Sequence, residues 1–143
     1  MTRDEVRLLF EDRRDQWNRR DPAALAASHA ESGVVTSPMF TRVVGRDAIE
    51  RSYRALFDAF PDWSLTQGEP LVDGDRVAVP FEATATHLGE FMGLPGSGRR
   101  FDIQGVMLCR VADGLIVEER RAYDFTGLLT MSGTQTYQFN LLD

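Results

Sequence analysis

Asp124 and His87 are the two side chains of this 143-residue sequence best suited to move a proton. Asp124 follows Ala122-Tyr123 and precedes Phe125-Thr126-Gly127-Leu128-Leu129, and a carboxylate among such neighbours loses solvation, which makes it a better base. The same position fits a strand-end aspartate that caps a turn, and spacing alone favours that plainer role. His87, one of two histidines, is flanked by Thr86 and Leu88. It reads as a proton donor in a pocket or as a satisfied core imidazole, and the pattern alone favours the core. Trp17, Tyr53, Phe57 and Trp63 could line a cavity for a flat, largely apolar ligand. Aromatics at helical spacing are more often core, which is the default for Phe57 and Trp63; Trp17 and Tyr53 carry polar handles that suit a pocket better.

Several chemistries are excluded by what the sequence lacks. All 16 basic residues are Arg, so Schiff bases, pyridoxal phosphate anchoring and a lysine-bearing phosphate loop are ruled out. Two His and one Cys cannot build a Cys/His zinc site within one chain, and a carboxylate-held magnesium has no motif behind it. No metal and no cofactor are therefore expected. Cys109, in Val106-Met107-Leu108-Cys109, reads as a buried strand thiol. A formal net charge of -6 would repel phosphate backbones and makes nucleic acid an improbable partner. The pairs Arg99-Arg100 and Arg120-Arg121 suit steering of an anion or simple solvation, and Glu118-Glu119 beside Arg120-Arg121 reads most simply as an ion-paired surface. No stretch approaches the roughly 18 apolar residues of a membrane span, and the charged start Met1-Thr2-Arg3-Asp4-Glu5 lacks a signal-peptide pattern. A cytoplasmic protein acting on a small molecule, without membrane contact, is the expectation.

The elements that must position these residues are legible from period and punctuation. Thr2-Arg3-Asp4-Glu5 has capping-box spacing, and Val6, Leu9, Phe10 and Trp17 share one helical face, predicting a helix to about Arg20. Asp21-Pro22 opens a short second helix over Ala23 to His29. Val34-Val35-Thr36 begins something extended. Ile49, Tyr53, Leu56, Phe57 and Phe60 predict a third helix from Gly45 to Pro61. Ser64 to Val72, Arg76 to Leu88, Arg100 to Val111 and Leu115 to Phe125 then read as strands, with Asp-Gly turns at Asp73-Gly74 and Asp113-Gly114. Gly89 to Gly98 reads as a mobile loop. Helices followed by an antiparallel sheet make an α+β pattern in one domain over residues 1–143. Strand parity puts Val77, Val79, Phe81, Ala83, Ala85 and His87 on one apolar row unless Pro80 makes a bulge, and Ile116, Glu118, Arg120, Ala122 and Asp124 together on a charged one.

Thr86-His87-Leu88-Gly89-Glu90-Phe91-Met92-Gly93-Leu94-Pro95, continuing to Gly98-Arg99, resembles the Thr-His-x-Gly-x-Phe-x-Gly stretch and Gly-Arg turn of the SnoaL-like polyketide (ester) cyclases. Asp113-Gly114-Leu115-Ile116-Val117-Glu118 is similar to that family's Asp-Gly-Lys-Ile-x-Glu hairpin, and Asp124-Phe125-Thr126-Gly127 to its Asp-x-x-Gly. Phe60-Pro61-Asp62-Trp63 and Gly74-Asp75-Arg76-Val77 also fit. The resemblance covers about residues 5–130 and leaves a divergent tail, 131–143.

The resemblance implies the cone-shaped α+β barrel of the nuclear transport factor 2 and ketosteroid isomerase superfamily: helices packed in a curved antiparallel sheet around an apolar cavity, usually in homodimers or higher homo-oligomers. It implies a cofactor-independent cyclase, classed with lyases and isomerases, that closes a ring by intramolecular aldol chemistry on a carbonyl-rich small molecule. Asp124 matches the family's catalytic Asp, and His87 is inferred from its motif position to protonate the new alkoxide. Trp17, Tyr53, Phe57, Gln104 and Arg120 are the expected substrate contacts. Arg120 stands where the family often has Trp, and a cation there would favour an anionic substrate or weaken Asp124 as a base. The usual Gln-Leu-Gly after the Asp motif is missing, and Tyr137, Phe139 and Leu141 alternate in a tail that could add an edge strand or cover a cavity. Two other readings remain open. One is epoxide opening or isomerisation, with Glu82 or Asp102 as second acid; the other is a binding or oligomerisation module without chemistry.

Overall fold

The computed structural model describes residues 1–124. Helix α1, Arg3–Asn18, is capped as its sequence requires: Thr2 Oγ1 accepts from the Glu5 N–H at 3.1 Å. Its buried stripe is Val6, Phe10, Arg13 and Trp17, so a guanidinium lies on an otherwise apolar face. Asp21 caps α2, Pro22–Ala27. This helix stops two residues earlier than its alanine run suggests, because His29 opens strand β1, His29–Ser37. A turn at residues 38–40 returns the chain as β2, Thr41–Val44. Helix α3, Arg46–Ala59, buries Ile49, Tyr53, Leu56 and Phe57 and ends before Pro61. The remaining strands are β3 Ser64–Gln67, β4 Leu71–Asp73, β5 Arg76–Thr86, β6 Arg100–Ala112 and β7 Leu115–Tyr123.

These strands form one curled, unclosed sheet of order β2-β1-β7-β6-β5-β3, with β4 also on β5. Three expectations are corrected. The β1–β2 hairpin separates α2 from α3, the segment Ser64 to Val72 splits at Gly68-Glu69-Pro70, and β1 pairs with β7 in parallel. Residues 88–98 form a pinned loop: the N–H groups of Leu88 and Gly89 both donate to the Ala59 carbonyl at 3.0 Å, and Gly98 N–H donates to the His87 carbonyl at 2.8 Å. At the β6–β7 turn Asp113 and Gly114 have φ of 53° and 81°, the left-handed pair that a type I′ hairpin needs. No helix of the described residues is long and apolar enough to cross a membrane. The tail 131–143 and the Phe125 to Gly127 part of the Asp motif lie outside the described residues.

Parity decides which side chains face the helices. On β5 the row Val77, Val79, Phe81, Ala83 and Ala85 is buried and continues into buried His87; Pro80 pairs with Val106 without breaking register. On β7 the row changes side. Val111 pairs with Ile116, but Arg110 pairs with Glu118, so Val117 is an extra residue, a bulge that shifts the alternation by one. Beyond it Glu119 and Arg121 are buried, while Glu118, Arg120 and Ala122 are exposed.

Gly105, on the inward row of β6, lets β7 and Phe81 approach: a Cβ there would lie 2.9 Å from Phe81 Cε1 and from Tyr123 Cβ, and closer still to the Ala122 carbonyl. Gly105→Ala is expected to cost about 1–3 kcal/mol by overpacking, measured by urea unfolding; unchanged stability would contradict this contact. Cys109 is buried, and burial followed by the nearby Glu119 charge pushes its thiol up. Native protein is expected to resist an aromatic disulfide reagent until it is unfolded, as a thiol and not a thiolate.

Candidate functional site

Between the helices and the inner face of the sheet lies a small apolar cavity of about 20 Å³, room for roughly one water. Its described wall includes Trp17 of α1, Leu56 of α3, Trp63, Met39 and Phe40 of the β1–β2 turn, Phe81, and Ile103 and Met107 of β6. Arg121 and Tyr123 of β7 complete it. Trp17 stacks on Trp63 at 5.8 Å between centroids. Both indole N–H groups are buried without a hydrogen-bond partner among the described residues, a costly state that few native polar groups show.

Behind this wall sits the principal polar structure of the interior. Glu119, fully buried, receives Arg121 Nε at 2.6 Å on Oε2 and Arg13 Nη2 at 3.1 Å on Oε1. Tyr53 Oη accepts from Arg121 Nη2 at 2.9 Å and from Arg13 Nη2 at 3.3 Å. His29 Nε2 lies 3.0 Å from Tyr53 Oη, 3.3 Å from Arg13 Nη1 and 3.6 Å from Glu119 Oε1. Arg13 also donates to Ser28 Oγ. Burial alone would raise the Glu119 carboxyl, but Arg121 and then Arg13 hold it down at about 2. Burial and then the Arg13 charge push His29 down to about 3; its imidazole is neutral, and Nε2 serves as the acceptor from Tyr53 and Arg13. Burial raises the Tyr53 phenol against the pull of the two guanidinium groups. The Arg121 guanidinium also lies 5.3 Å from the centroid of the Trp17 ring and 5.1 Å from that of Tyr53. One polar cluster thus holds a cation against the cavity wall.

Only part of the expected site is brought together here. Trp17 lines the cavity, and so does Trp63, taken as core. Tyr53 and Phe57 are buried one layer behind; Tyr53 orients Arg121 and Phe57 packs edge-on against Trp17 at 5.8 Å. Gln104 is exposed, because the inward row of β6 is Phe101, Ile103, Gly105 and Met107. Arg120 is likewise exposed and lines an open groove on the outer side of the sheet with Arg3, Arg7, Arg76 and Arg110. The cation in the cavity wall is Arg121, not Arg120, and the bulge at Val117 is the reason. Glu82 and Asp102 are exposed on the outer face and so do not form an inward acid pair. Glu119 and Arg121, read as surface, are the buried pair.

Asp124 and His87 stand apart. Asp124 is exposed and follows Tyr123, which pairs with Gly105 and through it with Phe81. His87 lies six residues beyond Phe81, about 20 Å along the strand. It is buried among Phe60 and Phe91, at 5.7 and 6.3 Å between centroids, with Nδ1 3.0 Å from Ser97 Oγ. Its Nε2 is buried without a partner among the described residues. Among the described residues no three His, Cys, Asp or Glu side chains gather as metal ligands.

The sequence pattern of the family described as SnoaL-like polyketide cyclase matches residues 8–131. Among curated proteins none matches the chain. AclR of Streptomyces galilaeus, a proposed hydroxylase, is 28% identical; the match covers 93% of this chain and 87% of AclR, with a TM-score of 0.79. IdmH of Streptomyces antibioticus, a proposed polyketide cyclase, is also 28% identical, over 87% of this chain and 96% of IdmH, with a TM-score of 0.72. A protein of ketosteroid isomerase-like fold from Catenulispora acidiphila shares that fold at 18% identity and a TM-score of 0.73, over 87% of this chain and 92% of its own.

Proposed function

The chain belongs to the SnoaL-like polyketide cyclase family, and from that premise we propose that it is a cofactor-independent acid–base catalyst that closes a ring by intramolecular aldol chemistry on a carbonyl-rich, largely apolar small molecule. The observation that carries this reading is the apolar cavity lined by Trp17, Trp63 and Arg121, a cation against aromatic walls whose indole N–H groups are buried and have no partner among the described residues. Asp124, the match to the family's catalytic Asp, takes the proton from carbon between two carbonyls and returns it to the alkoxide that forms when the enolate carbon attacks the further carbonyl. Arg121 stabilises the enolate oxygen that forms, because a fixed cation in a water-poor site acts strongly where charge develops. His87, buried and far along β5, supports the motif loop through Ser97 and is not assigned the proton-donor role. A substrate enters by displacing Met39 and Phe40 at the β1–β2 turn, since about 20 Å³ holds no polyketide. A homodimer acting on such a substrate belongs to the same proposal.

The small volume favours one second reading, a ligand-binding module without turnover. Incubation with aryl 1,3-diketones that carry a further ketone, followed by mass and absorbance, separates the two. Asp124→Asn is expected to lower ring closure by about 100-fold or more while the protein still folds. Full activity in that variant would overturn the assignment of Asp124, and ligand uptake with no product in either protein would establish the second reading.

A further inference from the structure

The charges behind the cavity do not balance. Arg13 and Arg121 bring two guanidinium charges, each at most 7% exposed, against the single carboxylate of Glu119, and His29 is neutral. Among the described residues of this cluster one positive charge is therefore left over in the interior, where unpaired charge is expensive. Arg13 is 1% exposed and held by Ser28, His29, Tyr53 and Glu119, with its Nε buried and without a hydrogen-bond partner among the described residues. Arg121 instead reaches the cavity wall; its Nε and Nη2 are bonded, and its Nη1 carries no hydrogen bond among the described residues. The same wall includes Trp17 and Trp63, whose buried indole N–H groups have no acceptor among the described residues. Tyr53 Oη already receives two guanidinium N–H groups, and the Glu119 oxygens each take one. Among the described residues the cavity wall therefore sets the Arg121 guanidinium against flat aromatic surface, in residues whose indole N–H groups, those of Trp17 and Trp63, are buried and unsatisfied.

We propose that this cavity selects a singly charged oxygen anion on a flat apolar body, with the anion seated on Arg121 and within reach of the Trp17 and Trp63 indoles. The selection rests on the cavity being the ligand site, as in the function proposed above, and adds the charge of the ligand. A neutral ligand of the same shape leaves the Arg121 charge unpaired and binds more weakly. Glu119 and Arg13 are positioning residues: they fix the Arg121 plane and touch no ligand.

Benzoate and benzamide are nearly isosteric and differ in charge. The two tryptophans give two indole N–H cross-peaks in a nitrogen-15 spectrum, so titration reads the site itself. Benzoate is expected to shift both indole peaks and to bind about tenfold or more tightly than benzamide, the difference between a charge-assisted and a neutral hydrogen bond. Arg121→Met should abolish that preference while benzamide still binds, and Arg121→Lys should keep it. Equal affinities in the wild-type protein would overturn the anion selection and leave the cavity as the ligand site. A preference that survives in Arg121→Met would overturn the role of Arg121. Absence of any indole shift with either compound would overturn both the selection and the cavity as ligand site, and the wild-type comparison decides this even if the variants do not fold.

Discussion

Glu119→Ala is expected to lower stability by about 3–5 kcal/mol, because it removes the carboxylate that Arg13 and Arg121 share and leaves two buried guanidinium groups with no counter-charge among the described residues. Against a typical stability of roughly 5–15 kcal/mol this is a large share, equivalent to roughly 10–20 °C in melting temperature. The neighbouring Glu118 provides the control. It is exposed and paired only loosely with Arg110 at 3.8 Å, so Glu118→Ala should stay within about 0.5 kcal/mol. Urea unfolding of the two variants measures the contrast. Similar losses in both, or a loss under about 1 kcal/mol for Glu119→Ala, would contradict the burial assigned to this side of β7.

Acid is expected to weaken the fold from about pH 6.5 downward, well before carboxylates are protonated. His29 is held down to about 3 by burial and the Arg13 charge, against an ordinary 6.5. Between those values the unfolded chain takes up a proton that the folded chain refuses, so protonation favours unfolding. The stability tied to neutral His29 is fully present above pH 6.5 and is lost as pH falls toward 3, at about 1.4 kcal/mol per pH unit. Glu119 adds to the loss at lower pH. Its carboxyl is depressed from 4.5 to about 2, so its contribution is present above 4.5 and lost as pH falls toward 2. Unfolding midpoints from pH 7 to pH 5 isolate the histidine: the wild-type protein should lose stability over this range and His29→Gln should be flatter. Parallel profiles would contradict a neutral imidazole in the cluster.

Much of the architecture was readable because local signals agreed with the global fold. The Thr2 capping box, the Asp21-Pro22 start and the stripe Ile49, Tyr53, Leu56 and Phe57 each mark a helix that forms. The alternation from Val77 to Ala85 gives the inner face of β5 correctly, and the motifs around His87 and Asp113-Gly114 identified the family. The site was less legible, for two physical reasons. A β-bulge has no reliable residue signature when the bulged residue is a valine, so Val117 shifts the row by one and exchanges Glu118 and Arg120 for Glu119 and Arg121. Parallel pairing of β1 with β7 brings residues about 90 positions apart together, and no local spacing reveals it. One signal was available: Arg13 falls at the helical spacing of Val6, Phe10 and Trp17, and a guanidinium in a buried stripe requires an interior carboxylate. His87 and Asp124 were paired by motif, yet they sit at separate parts of the sheet, which sequence order does not disclose.

A crystal structure of the protein with benzoate tests most directly whether the cavity behind Met39 and Phe40 is the functional centre. The expected result is a widened cavity, with the carboxylate on Arg121, the ring against Trp17 and Trp63, and Met39 and Phe40 moved aside. A cavity still closed at its present volume, with benzoate held instead in the outer arginine-lined groove beside Arg120, would contradict it.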